Sequence, residues 1–585
     1  MIKNDRNRKN RICLALIFAA LLLAACITAC SHGTNDPGTG TAEGTDKPVE
    51  STTPEAVTTE EELTPAVISG WFDYGSALYK RDRFEPGTAS SIEIQMAKNE
   101  VEGFQYLVTS DRNVKGLRCD LSEMKDENGN KLPGTVNVVW YTWVNQSDNL
   151  HDTFTWYPVG MLPMDDEYQG GSFDVEAGTC RTVYVSFRTD KDTVPGTYTG
   201  TLTLSRKGET LLSGDVSVRV RDVYYEEKTE CLTMMGLGYD KEDTNAAVPA
   251  GPESAPALGS QQASGKYSNP DLYLEYAEFL LDNRFSMSWL PLQLDLFDDS
   301  AVVKKLMNNP RLTSVNIRGR GEALAKKYKL ASENGWLDKC YFAYFDEPTT
   351  EAHLQGIMGN AREVNQYFPT THFLDAFGVN ISAGGRNVVE RMSDYTTVYC
   401  PVINVFRGEL RESMLRLKAE RGDTLFWYTC GSGKQADVNA INCLPCTPGT
   451  DKRLMFWMQY QQNVDGFLYW ATTFWNFSYD VWAEDYMDTK FPFPRSDGMP
   501  TDDGVLIYWH PVTKKPVTTL GFEAMRDGVE DFQLFKMAER KLGREKVLEY
   551  IEQLVTDINQ FKKVSEGSTE LLMDLRNQIF DLVEG

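Results

Sequence analysis

The run Tyr341-Phe342-Ala343-Tyr344-Phe345-Asp346-Glu347-Pro348 carries an apolar stretch straight into two adjacent carboxylates and a proline. An aromatic, apolar strand is a rigid element, and the end of such a strand is where barrel-type enzymes present acid and base groups to a substrate. Proline disfavours helical backbone at the residue before it, so Glu347 is expected in extended geometry at a defined exit from the strand. Two carboxylates this close repel, and one should hold its proton to higher pH than the other. Such splitting suits general acid/base work on a glycosidic bond. Taken alone, the tripeptide reads first as a turn with solvated charges, and the rest of the chain has to carry the catalytic reading.

Two further strand-like runs end in aromatic groups. Leu425-Phe426-Trp427-Tyr428-Thr429-Cys430 is one, and Phe467-Leu468-Tyr469-Trp470-Ala471-Thr472-Thr473-Phe474-Trp475-Asn476 is the other. Rings with a phenol or indole handle can stack on a pyranose and bond its hydroxyls. Tyr428, Trp470, Trp475 and Asn476 are therefore candidate substrate-binding residues, while Phe426, Phe467 and Leu468 read as core. Other motifs carry less. Gly431-Ser432-Gly433-Lys434 has a phosphate-loop flavour, but Gln435 follows the lysine and the spacing is wrong. The five histidines form no ligand pattern, and Cys443-Leu444-Pro445-Cys446 has no second pair, so no metal is expected. That pair reads as a local disulfide or as two free thiols. No organic cofactor is implied.

These residues need elements to position them. From about Cys231 the rhythm is strand, helix, strand. Strands are expected at 232–236, 285–292, 312–317, 341–345, 371–377, 397–402, 424–430 and 466–473, with helices at 272–283, 322–334, 351–367 and 452–463 between them. Eight strands alternating with helices predict a (β/α)8 TIM barrel, with a doubly wound open sheet as the alternative. Upstream, Ser91-Ile92-Glu93-Ile94-Gln95-Met96, Thr182-Val183-Tyr184-Val185-Ser186-Phe187 and Asp215-Val216-Ser217-Val218-Arg219-Val220 alternate polar and apolar between turns. That spacing predicts an N-terminal antiparallel β-sandwich. Helices are expected at 521–542 and from 546 to about 583, the second as a C-terminal extension. The charges of Arg526-Asp527-Gly528-Val529-Glu530-Asp531 read as structural, spaced for pairing on a helix surface and at the barrel bottom.

The chain is 585 residues long, 41% hydrophobic and 24% charged, which suits a globular protein of two or three domains. A formal net charge of −25 argues against a nucleic-acid partner and against electrostatic adhesion to an anionic membrane. A neutral glycan is compatible with it. At the N-terminus, Lys3, Arg6, Arg8, Lys9 and Arg11 precede an apolar stretch from Ile12 to Ala29. Leu23-Ala24-Ala25-Cys26 and Ile27-Thr28-Ala29-Cys30 both look like lipoprotein cleavage sites, and a polar linker starts directly after Cys30. Cys30 is the favoured lipidation site. A lipid there would be the only membrane contact, holding an extracytoplasmic protein on a spacer whose reach is on the order of 30 Å.

The chain resembles glycoside hydrolase family 123, also known as the DUF4091 catalytic domain. The residues that carry the resemblance are Phe345-Asp346-Glu347-Pro348, Trp427-Tyr428-Thr429-Cys430, Gly466-Phe467-Leu468-Tyr469-Trp470, Asp503-Gly504-Val505-Leu506-Ile507-Tyr508 and Glu523-Ala524-Met525-Arg526-Asp527-Gly528-Val529-Glu530-Asp531-Phe532. Ala97-Lys98-Asn99-Glu100-Val101-Glu102-Gly103-Phe104-Gln105 adds to it. Where many members follow the 503–508 strand with a Pro-Gly turn, this chain has Trp509-His510-Pro511-Val512, a departure expected near the site.

The expected organisation is a signal peptide over 1–30, a linker over 31–65, a β-sandwich over 66–228, a barrel over 229–542 that the resemblance implies is catalytic, and a helical extension over 543–585. The resemblance implies a retaining exo-glycosidase acting on terminal β-linked N-acetylhexosamine, with N-acetylgalactosamine favoured. In that scheme the substrate's acetamido oxygen attacks C1, Asp346 steadies the acetamido group and Glu347 is the acid/base. By the same analogy Tyr428 would donate to the acetamido oxygen. The alternatives are a non-catalytic carbohydrate-binding lipoprotein and a glycoside hydrolase of other sugar specificity.

Overall fold

The computed structural model describes residues 65–144, 155–237, 270–288, 297–430, 441–473, 482 and 503–585. Cys30, the leader, the spacer up to residue 64, the glycine-lysine run at 431–434, Trp475 and Asn476 lie outside the described residues. Pro65–Gly585 forms one unit with a β-rich N-terminal part and an α/β C-terminal part.

The β-rich part begins with β1 (Ile68–Tyr74), β2 (Ser91–Lys98), β3 (Val101–Ser110) and β4 (Val114–Leu121). The short β5 (Met124–Lys125) and β6 (Lys131–Leu132) follow, then β7 (Gly134–Val144), β8 (Thr155–Pro163) and β9 (Phe173–Val175). It ends with β10 (Cys180–Arg188), β11 (Gly196–Arg206) and β12 (Glu209–Tyr224). One sheet has the order β1-β3-β10-β7-β8 and the other β2-β12-β11-β4-β9. Period-two patterning sets their faces: Val216, Val218 and Val220 of β12 point inward while Asp215 and Arg219 point out. Phe104, Tyr106 and Val183 of the first sheet share a core with Ile94, Leu117, Leu202 and Val216 of the second.

The wholly antiparallel arrangement expected from the sequence is not found, because β2 and β12 run parallel from Ser91↔Asp215 to Met96↔Val220. Asn99, at φ 62°, turns the chain out of β2 and into the other sheet. With no hairpin partner, β2 lies as an edge beside the last strand.

The α/β part contains β13 (Leu232–Met235), β14 (Val315–Asn316), β15 (Cys340–Tyr341), β16 (Ala376–Phe377), β17 (Val398–Pro401), β18 (Thr424–Tyr428) and β19 (Gly466–Tyr469). Parallel pairing runs β13-β19-β18-β17-β16. It continues through a bridge between Phe342 and Phe373 to β15, and on to β14. Asn316 then donates to the carbonyl of Ser288 (2.8 Å), and Met287 bridges in parallel back to Met235 of β13. Helices Pro270–Asp282, Ala301–Met307, Glu322–Asn334, Glu351–Asn365, Val388–Met392, Gly408–Arg421, Gly449–Gln461 and Leu520–Leu542 separate or follow these segments. Met234, Tyr341, Leu374, Cys400, Phe426 and Tyr428 make one inner cluster. A larger one fills the layer between strands and helices. Gly236 is required where two segments touch: a Cβ there would sit 1.8 Å from the carbonyl oxygen of Trp470.

Several elements differ from expectation. The strand leading to the carboxylates ends at Tyr341, with a bridge at Phe342, rather than at Phe345. The second C-terminal helix is broken into Arg544–Ile551, a hairpin pairing Val555–Asp557 with Gln560–Phe561, and Ser568–Glu584. Alternating Val555-Thr556-Asp557 and the Asp/Asn turn after it favour the hairpin.

The charges of 523–531 are buried, not on a helix surface. Arg453 bonds Asp531 (2.6 Å) and Glu102 (3.0 Å), and Arg526 bonds Glu523 and Asp527. Arg576, on the last helix, bonds Asp531 (2.7 Å) and Glu100. These pairs tie the β-rich part to the α/β part. Burial acts to raise the Asp531 carboxyl pKa, but Arg453 and Arg576 outweigh it and hold the group below its ordinary value.

Candidate active site

Asp346 and Glu347 lie just past the C-terminal end of β15, exposed to solvent. Tyr428 closes β18 and Trp470 follows β19, so both sit at the same end of the parallel segments. Tyr428 is buried, and its hydroxyl donates to Oε1 of Glu347. The structure thus brings Asp346, Glu347 and Tyr428 together. Trp470 is half-buried and packs against the large core.

The local backbone is unusual. Glu347 has φ 48°, the left-handed region, and not the extended geometry expected from Pro348. Proline disfavours right-handed helical backbone at the preceding residue, and the extended alternative loses here to tertiary contacts. The N–H of Glu347 donates to the carbonyl of Ala376 (3.1 Å), and its side chain is held by Tyr428. A non-glycine residue in this region stores about 1–3 kcal/mol, a cost found mostly at functional sites.

Although the residue as a whole is exposed, partial desolvation of the Asp346 carboxyl raises its pKa above the ordinary value, and the neighbouring charge of Glu347 adds to this. Beneath the pair lies a group that sequence reasoning did not single out. Asp375, fully buried just before β16, accepts the N–H of Tyr344 (2.7 Å) and of Phe345 (3.1 Å) on Oδ1. Burial pushes its pKa up to about 6, against the lowering effect of those two bonds. The signal for it was an acid inside the otherwise apolar run Phe373-Leu374-Asp375-Ala376-Phe377. Cys400 is also buried; burial first, then the charges of Asp346 and Asp375, push its thiol far up. At the rim, Phe345 is exposed and stacks on His353 with centroids 4.3 Å apart.

Among the described residues no group of three or more His, Cys, Asp or Glu is placed to hold a metal ion. Cys443 and Cys446 are buried free thiols. His510, in the Trp509-His510-Pro511-Val512 segment, pairs with Asp166 of the β-rich part (2.9 Å).

An α/β unit that sets adjacent carboxylates and aromatic side chains at the C-terminal ends of parallel strands, behind a β-rich domain, is laid out as a glycosidase. The chain belongs to glycoside hydrolase family 123: residues 285–538 match the family's catalytic domain and residues 76–206 its N-terminal domain. A family 123 glycoside hydrolase from Clostridium perfringens, studied for glycolipid glycan hydrolysis, superposes with a TM-score of 0.59 at 13% identity. The match covers 88% of this chain and 98% of that one, and it supports the fold. A GH5 xyloglucanase from Bacteroides ovatus covers 75% of this chain and 98% of its own at 10% identity, but its TM-score of 0.26 carries no argument. No curated protein matches the chain.

Proposed function

We propose that this family 123 hydrolase is a retaining exo-glycosidase that releases terminal β-linked N-acetylhexosamine, N-acetylgalactosamine first, by substrate-assisted catalysis. The cycle of parallel pairings is read as a (β/α)8 barrel with the site at its mouth, and the two β-sheets as a sandwich.

The observation that carries the mechanism is the placement of Glu347 against Tyr428 with Asp346 beside it. Two residues adjacent in sequence are poorly placed to flank a sugar ring as separate acid and nucleophile, the arrangement that ordinary retaining enzymes use. A substrate that brings its own nucleophile removes that requirement. The acetamido oxygen attacks C1 while the glycosidic C–O bond breaks and Glu347 gives its proton to the leaving oxygen. The Asp346 carboxylate accepts the acetamido N–H and faces the positive charge of the oxazolinium ion. Glu347 then takes a proton from water, the hydroxide oxygen bonds C1 and the ring reopens. Tyr428 acts here through Glu347, a different role from donation to the acetamido oxygen.

The substrate is a glycan or glycoconjugate, and glycolipid glycans are the first class to test. The same reading anchors the protein outside the cytoplasm through a lipid on Cys30. Release of the Cys30→Ala variant from the membrane fraction supports that anchor, and unchanged retention removes it.

The deciding experiment uses residues 65–585 with aryl β-N-acetylgalactosaminide and β-N-acetylglucosaminide, and Glu347→Gln as control. Release that vanishes in the variant establishes the activity and ranks the sugars. No release from either substrate removes the N-acetylhexosamine reading. A thiazoline mimic of the oxazolinium should inhibit, and failure to inhibit would exclude substrate assistance.

A further inference from the structure

The ladder below the carboxylates is irregular in a way the catalytic scheme does not use. Phe342 donates to the carbonyl of His372 (2.9 Å) and accepts from Leu374 (2.8 Å), which is regular parallel pairing. Continued regularly, the N–H of Tyr344 would reach the carbonyl of Leu374, and that of Asp346 the carbonyl of Ala376. Instead the N–H groups of Tyr344 and Phe345 both go to the Asp375 carboxylate, and it is Glu347 that reaches Ala376. Between Phe342 and the Ala376 contact, the site strand therefore holds one residue more than its partner. That is a bulge, a device that re-aims side chains, gathers near active sites and is rare between parallel strands.

We propose that Asp375 is a positioning residue: its carboxylate holds this bulge open, and the bulge sets the orientation of Asp346 and the left-handed backbone of Glu347. The inference rests on the reading of Asp346 and Glu347 as the reacting pair.

Stability alone does not account for an acid here. Asp375 is fully buried, its Oδ2 has no hydrogen-bond partner among the described residues, and the partners of Oδ1 are neutral backbone groups. Among the described residues Tyr344, Tyr395 and Cys400 feel its charge, and none of these is cationic. Burying a carboxylate without a counter-charge is costly. What it supplies is one acceptor atom that takes two consecutive N–H groups, which a strand carbonyl in regular register does not do. Cut off from the ladder, the chain carries an additional residue, and Asp346 and Glu347 leave it in succession above the buried layer.

The test compares Asp375→Asn, which keeps an acceptor at Oδ1, with Asp375→Leu, which removes it, and with deletion of Ala343, which restores regular register. Steady-state kinetics are read beside hydrogen exchange over 341–348. Asp375→Asn should keep kcat within roughly tenfold. Asp375→Leu and the deletion should lose at least ~100-fold in kcat with KM little moved, and Asp375→Leu should lose amide protection at 344, 345 and 347 while the neighbouring strands stay protected. A folded Asp375→Leu or deletion variant with near-wild-type kcat would overturn the proposal. So would equal losses in Asp375→Asn and Asp375→Leu. If the unaltered protein cleaves no N-acetylhexosaminide, the functional reading fails separately and the exchange data decide the positioning role. Local deprotection in Asp375→Leu supports it and unchanged protection removes it. Should Asp375→Leu not fold, the deletion variant carries the kinetic test.

Discussion

Tyr428 donates its hydroxyl proton to Oε1 of Glu347, across the end of the parallel segments from β18 to the turn after β15, with β16 and β17 between. Burial, then the bond to Glu347 and its charge, push the phenol far above the ordinary tyrosine range, so Tyr428 remains a donor at every working pH. As Glu347 gives up its proton the bond becomes one to a charged group, and such a bond contributes about 1.5–3 kcal/mol. Tyr428→Phe should therefore lower kcat by roughly 10- to 150-fold. The change in thermal midpoint should be small, because the ring still fills its place. A variant with unaltered kcat on aryl substrates would show that the contact is passive.

Glu347 is strained, and strain at a reacting residue sets stability against activity. Glycine adopts positive φ without the Cβ clash that costs other residues about 1–2 kcal/mol. Glu347→Gly should melt at a higher temperature than Glu347→Ala, and both should be inactive on substrates with poor leaving groups. The reverse order of melting would mean that the left-handed backbone is not enforced in solution.

Asp375 gives a pH signature in stability. Its folded pKa of about 6 lies above the ordinary 3.8, so the folded state holds the proton more tightly than the unfolded chain. Its contribution is complete below pH 4 and is lost as pH rises to about 6. The rise corresponds to ~3 kcal/mol at most. Asp375→Asn does not titrate, so its stability relative to the unaltered protein should climb between pH 4 and 6 and level off above. Urea midpoints measured across that range check this, and a flat difference would assign Asp375 an ordinary pKa.

The buried arginines offer the sharpest stability test. Removing Arg453 leaves Asp531, Glu102 and Asp527 without the guanidinium that bonds all three. Breaking one partner of a buried ion cluster costs about 3–5 kcal/mol. Arg453→Met should lower the unfolding midpoint accordingly. Arg453→Lys should recover little of the loss, because an ammonium cannot reproduce the fork geometry. Chemical denaturation followed by tryptophan fluorescence reads both variants.

Much of the architecture is legible in local patterns. The helix expected over 322–334 forms at Glu322–Asn334, and the strand rhythm after Cys231 places β13 to β19 within a few residues of their expected positions. The C-terminal break was less visible, since Val555 to Phe561 is too short for its alternation to stand out against flanking helical periodicity. The charges of 523–531 looked superficial because i,i+4 spacing is the same on a buried helix as on an exposed one.

The sequence by itself determined which residues follow the apolar runs that lead to one end of the parallel segments, since the period of the runs before Asp346, Glu347, Tyr428 and Trp470 is a local property. Only the tertiary structure decided how the pair is aimed. The left-handed turn at Glu347 depends on the carbonyl of Ala376 and the hydroxyl of Tyr428, and the bulge before it depends on the carboxylate of Asp375. Those partners are remote in the chain, and local propensity alone would have continued the strand. Hydrogen bonds formed after the segments assembled outweighed that propensity, because each buried N–H must find an acceptor and the nearest one was a side chain.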